Sequence, residues 1–492
     1  MRLRIGGWES DLPFLLAVMG FSLLLGRLLG RWAGARWTLQ AGVFVGVAIS
    51  IVGWTRQAMT TPFAFGFDLA FVQNAAWNLW EGRGSWSDVM GMPTYAVHSF
   101  FTLPLFAWIL AFSPHPAYFT LANVVWGVLA AIPAGLLGRE ILRSREAGWT
   151  VGLSFLLLPN LPGFLLVECH PTITGPVFLL SYFYFREKRR ALPAALCATL
   201  AAFSHEVFLL GILVEGAVEV ARPEVSRRFG GVLLAIGSLT LGLFLLNRAG
   251  QIPVSGLRHY KALGGHPERV LGILAADPSL VASLVFTRAK MGFLFHFLVT
   301  LAFLPLLGAR RLWIALPEVA LVLLSDPDSS MARIDFFYTH TAACASFYAA
   351  LKGLRWICDR RGWEPARGAF LLFCALLSLQ FVFYDGLLRH AADRAAYLLI
   401  TDPGRDLYPT VPETLVPRGA TVLVQSSQDL PKFPRRRVIF VDPFLSPANV
   451  MREREGTLEA EYRASRSDSP SEPGLRVYVR SSPGEVLAPG VP

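Results

Sequence analysis

Asp68, in the stretch FGFDLAFVQNAAWNLWEG from Phe65 to Gly82, is the residue of this sequence best placed to act as a base. It opens an amphipathic segment lodged between hydrophobic runs long enough to cross a bilayer. Such a carboxylate can cap the helix it begins, by accepting hydrogen bonds from first-turn N–H groups, or it can take a proton from a bound hydroxyl. The two roles are compatible. Gln73, Asn74, Asn78 and Glu81 recur near helical spacing, opposite Leu69, Val72, Ala76, Leu79 and Trp80. That pattern predicts a helix lying in the membrane interface, with Gln73 as a candidate substrate contact.

Further along, His98 in TYAVHSFFTLPLF stands at the entrance of an apolar run, able to donate to a phosphate, bind a metal or satisfy a loop carbonyl. Glu168 and His170 sit two apart in VECHPT and, with a distant acid, make a candidate divalent-cation site, a structural hydrogen-bond pair being the plainer alternative. His205 and Glu206 interrupt a long apolar stretch, where ionisable groups cost about 2.5 to 3.5 kcal/mol unless paired or wetted. They are expected to face a cavity or the outer interface. Arg258, His259, Lys261 and Arg269 form a basic set suited to a lipid-linked phosphate, or simply a solvated loop. Arg333 is a further candidate for the same anion, with Asp335 as its alternative partner, and Tyr338 and His340 open the next apolar segment.

The elements that must position these residues are membrane helices. Of 492 residues, 53% are hydrophobic and only 16% charged, with a mean hydropathy of +0.47, which excludes an ordinary soluble chain. Apolar runs recur at about residues 12–30, 39–54, 97–112, 117–137, 148–167, 172–185, 191–203, 207–220, 230–246, 291–307, 312–324, 336–351 and 369–383. They predict an all-α polytopic membrane protein of about 11–13 transmembrane helices over residues 1–387. The clusters Arg139/Arg143/Arg145, Arg186 to Arg190, Arg222/Arg227/Arg228, Arg310/Arg311 and Lys352 to Arg367 are placed in the cytoplasm by the positive-inside rule, which also accounts for the net charge of +10.

That orientation sets residues 168–171, 204–206, 247–290 and 326–335 on the outer side. An outer loop at 56–96 requires an odd number of crossings before Arg139, whereas two apolar runs intervene. Beyond residue 388, ATVLVQSS, RVIFVDP and RVYVRSS read as strands of a small extracytoplasmic α/β domain over residues 388–492, with a frayed end. The five cysteines form no disulfide or zinc pattern. No P-loop, no GxSxG, no dinucleotide fingerprint and no aromatic-basic platform for nucleic acid is present.

The succession FDLAFVQNAAWNLWEG, VHSFFTLPLFAWILAFSPHPAYF, VECHPT and AAFSHEVFLLG resembles a family of predicted prokaryotic membrane proteins of unknown function. Asp68, Gln73, Trp77, Gly82, His98, His170, Pro171 and Glu206 match positions of that family's pattern. Ser99-Phe100-Phe101 and Ser204-His205 depart from it; the second passes the role of a common lysine to His205. The family in turn resembles the GT-C superfamily of integral-membrane glycosyltransferases.

The resemblance implies a GT-C-like fold, with Asp68 as the base that activates an acceptor. It also implies a sugar donor linked to polyprenyl phosphate, a glycan, lipid or protein acceptor, and residence in the cytoplasmic membrane of the cell envelope. The cofactor stays open, a divalent metal ion being the one its donor residues allow. A transporter or flippase and a noncatalytic scaffold are the alternatives; the first calls for related halves, and the sequence contains no internal repeat.

Overall fold

The computed structural model describes residues 2–5, 8–29, 31–60, 67–87, 92–112, 116–159, 161, 169–222, 227–249, 255–264, 267–327, 329, 331, 339–382 and 388, together with four strands between 421 and 480. It is mostly helical, and its helices follow the apolar runs closely. Ala191–Ala202, Glu206–Ala221 and Arg227–Arg248 each begin and end within about three residues of the run that predicts them.

Among the described residues, Ala33–Gly53, Tyr118–Leu142 and Arg227–Arg248 are long and apolar enough to cross a membrane. Pro278–Val285 and Arg288–Thr300, bent by 57°, qualify together as a broken span. Other apolar runs form shorter helices, such as Arg145–Leu156, Thr174–Glu187 and Ala191–Ala202, so the full-length spans among the described residues are fewer than the expected 11–13. A 12-residue helix reaches only about 18 Å at 1.5 Å per residue.

The run at 97–112 is not a span. It folds into short turns, Thr94–Val97, Pro104–Ala107 and Trp108–Ala111, because His98 leaves the first turn in extended backbone and Pro104 opens a new one. Among the described residues, one long apolar helix, Tyr118–Leu142, therefore remains between residue 96 and Arg143.

Packing relies on small residues, as expected where lipid gives little hydrophobic drive between helices. Ala131–Leu142 and Arg145–Leu156 fold back on one another so closely that a Cβ on Gly138 would lie 2.6 Å from Val151, and one on Gly152 would lie 2.9 Å from the carbonyl of Ala131. At the centre runs His340–Arg361, whose first dozen residues, including Ala342, Ala345, Ala349 and Ala350, are buried.

The Asp68 helix, Phe67–Trp80, departs from the interfacial expectation. Leu69 to Asn78 are all buried, polar residues included, so the helix is enclosed by protein. Its polar side chains find partners there; Asn78 donates through Nδ2 to the carbonyl of Trp86 at 2.8 Å.

Near the C-terminal end, Thr421–Val424 pairs in parallel with Arg437–Phe440 and antiparallel with Leu475–Arg480, which in turn pairs antiparallel with Ala460–Ala464. Three of these strands are those read from the sequence; the fourth, Ala460–Ala464, alternates too, but between charged residues and the small or half-polar alanine and tyrosine rather than strongly apolar ones, and is absent from that reading.

Candidate functional site

Three well-separated breaks in the helical pattern meet at one place. In the first, the turn Thr94–Val97 ends at His98, and Thr102 N–H donates to the carbonyl of Phe203 at 3.2 Å, fastening this turn to the end of Ala191–Ala202. The second break is at His170, extended before Pro171 starts a short turn; its backbone N–H donates to Asn123 Oδ1 at 3.1 Å. The third is at His205, the N-cap of Glu206–Ala221, whose Nδ1 accepts from Val207 N–H at 3.3 Å. Thr174 and Ser204 hydroxyls, 2.8 Å apart, join the second break to the third.

The carboxylate of Glu206 is the hub. His98 Nδ1 donates to Oε1 at 2.8 Å, and Ser99 N–H donates to Oε2 at 3.3 Å, while His205 Nδ1 lies 3.4 Å from Oε2. Because a carboxylate only accepts, the His98 proton resides on Nδ1. Glu206 also opens its helix, where the positive end of the dipole favours an anion.

Three imidazoles gather round the fully buried Phe100: His98 at 4.9 Å between ring centroids, His170 edge-on at 4.9 Å and His205 at 5.6 Å. His98 and His205 stack at 4.8 Å and 29°. His170 and His205 lie in loops between helices. Burial is the main cause that lowers each to about 3, so both are neutral; at His170 the neighbouring His98 lowers it further, and at His205 the charge of Glu206 works against burial. His170 Nδ1 lies 2.6 Å from Thr172 Oγ1.

His98, His170, His205 and Glu206 are thus brought together, from candidates that sequence spacing left apart. Asp68 lies in the first turn of Phe67–Trp80; its side chain is outside the described residues, as are Glu168, Arg333 and the side chain of Arg258. The Asp68 helix nevertheless adjoins the cluster, since Phe71, one turn on, packs on Phe100 at 6.4 Å. Gln73 is buried within the same helix.

Lys261 is not in the cluster. It is exposed near the end of the 3-10 helical segment Ser255–Leu263, which is held by Asp326, whose carboxylate accepts from Lys261 N–H and Ala262 N–H at 2.9 Å each.

Sequence reasoning missed the parts played by Phe100 and Ser99, and read His340 only as the opening of an apolar segment. His340 is buried at the start of the central helix and packs on Phe208 at 6.2 Å. A backbone N–H and a phenylalanine carry no chemical signature in sequence.

Two imidazoles, a third close by and a carboxylate, set where helices begin and end, can bind an anion through ring N–H groups or a cation through ring nitrogens and carboxylate oxygens. The apolar helices and polar loops that surround this cluster are those of an integral membrane protein. Residues 63–422 match the family described as predicted membrane protein (DUF2079), and the chain belongs to that family. No curated protein matches the sequence. Among solved structures, the chain is similar to the crystal structure of ArnT from Cupriavidus metallidurans bound to undecaprenyl phosphate. The identity is 12%, the match covers 89% of this chain and 98% of that chain, and the TM-score is 0.47.

Proposed function

We propose that this protein is a membrane glycosyltransferase that moves a sugar from a polyprenyl-phosphate donor to an acceptor hydroxyl at the outer face of the cytoplasmic membrane. The observation that carries the reading is the convergence of His98, His205, Glu206 and His170 beside the helix that Asp68 begins. The sequence resemblance to GT-C enzymes supplies the reaction class. The strands beyond residue 388 belong, on this reading, to an extracytoplasmic domain.

In the reaction, Asp68 accepts the proton of the acceptor hydroxyl from about 3 Å as that oxygen bonds to the anomeric carbon. The bond from the anomeric carbon to the phosphate oxygen breaks, its electron pair leaves with the lipid phosphate, and the sugar configuration inverts. The departing phosphate is received at the His98/His205/Glu206 cluster.

Loss of sugar from a polyprenyl-phosphate donor, followed in membranes containing the protein or its Asp68→Asn variant, tests the reading. Asparagine keeps the shape and removes the base, so turnover is expected to fall by about 100-fold or more with an unchanged melting midpoint. Equal turnover in the two membranes would overturn the assignment of Asp68.

A further inference from the structure

His98 and Glu206 are 108 residues apart in sequence and reach one another only through the fold. One donor atom from each of His98, His205 and Glu206 lies within 4.8 Å of the other two. Around a tetrahedral ion bonded at 2.0–2.1 Å, neighbouring donor atoms are about 3.4 Å apart. His98 Nδ1 lies 2.8 Å from Oε1 and His205 Nδ1 lies 3.4 Å from Oε2, so an ion held there would draw His98 back by about 0.6 Å and take the His205 Nδ1 lone pair from Val207 N–H. An ion bound through His98 Nδ1 would take the place of the proton it now donates to Glu206, that proton moving to Nε2.

The surroundings are those of a prepared site. Ser99 N–H orients the carboxylate from outside the donor set, and Phe100 packs against both imidazoles from a fully buried position. Two nitrogens and one carboxylate favour zinc and its transition-metal neighbours over magnesium or calcium, which take oxygen ligands. Three protein donors are also the usual number where a fourth position serves water or substrate.

A carboxylate at the heart of the cluster repels a phosphate, and a divalent cation between them reverses the sign of that interaction. We infer that His98, His205 and Glu206 hold a zinc-class divalent ion whose fourth position accepts a phosphate oxygen. The ion site rests on the geometry alone; its use toward the lipid phosphate rests on the function proposed above.

The test uses the full chain in detergent, its purification tag removed, stripped with EDTA and titrated with Co2+. The expected result is visible d–d absorption saturating at about one Co2+ per chain, bleached by Zn2+ and indifferent to excess Mg2+. His98→Ala and Glu206→Gln should each weaken binding by about 100-fold or more. Absence of the bands in the folded, monodisperse wild-type chain overturns the site, and so does their persistence at full affinity in both variants.

Asp68→Asn separates this inference from the function. It should bind Co2+ normally while losing transfer. Metal binding with unimpaired transfer by Asp68→Asn would sink the enzymatic reading and leave the ion site standing. Absent metal with transfer lost in Asp68→Asn would do the reverse.

Discussion

Gly211→Ala couples the packing of the bundle to the geometry of the cluster. Gly211 lies five residues after Glu206 on the same helix, against the turn Trp313–Ala315. A Cβ there would stand 2.7 Å from the backbone carbonyl oxygen of Ile314, 3.0 Å from Ile314 Cγ1 and 3.3 Å from Thr341 Cγ2. Ordinary contact begins near 3.4 Å. The helix must therefore retreat by about 0.7 Å, because a backbone oxygen cannot swing aside as a side-chain tip does.

Overpacking costs about 1–3 kcal/mol, while alanine recovers about 1 kcal/mol of helix propensity, so the net loss is about 0–2 kcal/mol. A midpoint lower by a few degrees at most follows for a chain of this length. Glu206 moves with its helix. Since a displacement of about 1 Å costs roughly 100-fold in rate, about 0.7 Å should cost on the order of 10-fold or somewhat more.

Gly231→Ala is the control. It lies within Arg227–Arg248, and a Cβ there would meet nothing within 4 Å. The assays are thermal unfolding in detergent and donor turnover in membranes. If Gly211→Ala matched Gly231→Ala in both, the coupling of this contact to the cluster would be refuted.

Two further perturbations probe the buried charges. Lys290 is buried and its Nζ donates to the carbonyls of Leu284 and Leu323, at 2.7 Å each, and of Ser325. Lys290→Met leaves those carbonyls unpartnered at about 1–3 kcal/mol each, so monodisperse protein should largely disappear on size exclusion; a normal yield would refute the role. Arg186 pairs with Glu215 and Glu219 and donates to Tyr182 Oη at 2.9 Å. Arg186→Met leaves Glu215 with only the Tyr182 hydroxyl and Glu219 with only Arg222 at 3.6 Å, a loss of about 3–5 kcal/mol, and adding Glu215→Gln with Glu219→Gln should restore most of the yield; failure of the triple variant to exceed the single one would refute charge stranding as the cause.

Much of the fold was legible in the sequence. Ala191–Ala202 and Arg227–Arg248 announce themselves because helix hydrogen bonding and the transfer of apolar side chains to lipid are local properties, set by a run of residues whatever its neighbours. Thr421–Val424 and Leu475–Arg480 show their alternation in the same local way. Residues 97–112 have the composition of a span, yet the chain turns at His98 and again at Pro104, and composition alone does not register that. The Phe67–Trp80 helix was legible as a helix, but its enclosure depends on what packs over it.

Composition and local pattern are enough to identify a membrane protein of apolar helices and the polar residues that interrupt them. That His98, His170, His205 and Glu206 meet around Phe100 emerges only when the helices are packed. Hydrophobicity is a sum over neighbours along the chain. A donor set spanning 108 residues depends on how closely helices approach and where their ends fall, and those distances are fixed by contacts such as Gly211 against Ile314 and the Thr174–Ser204 hydroxyl pair.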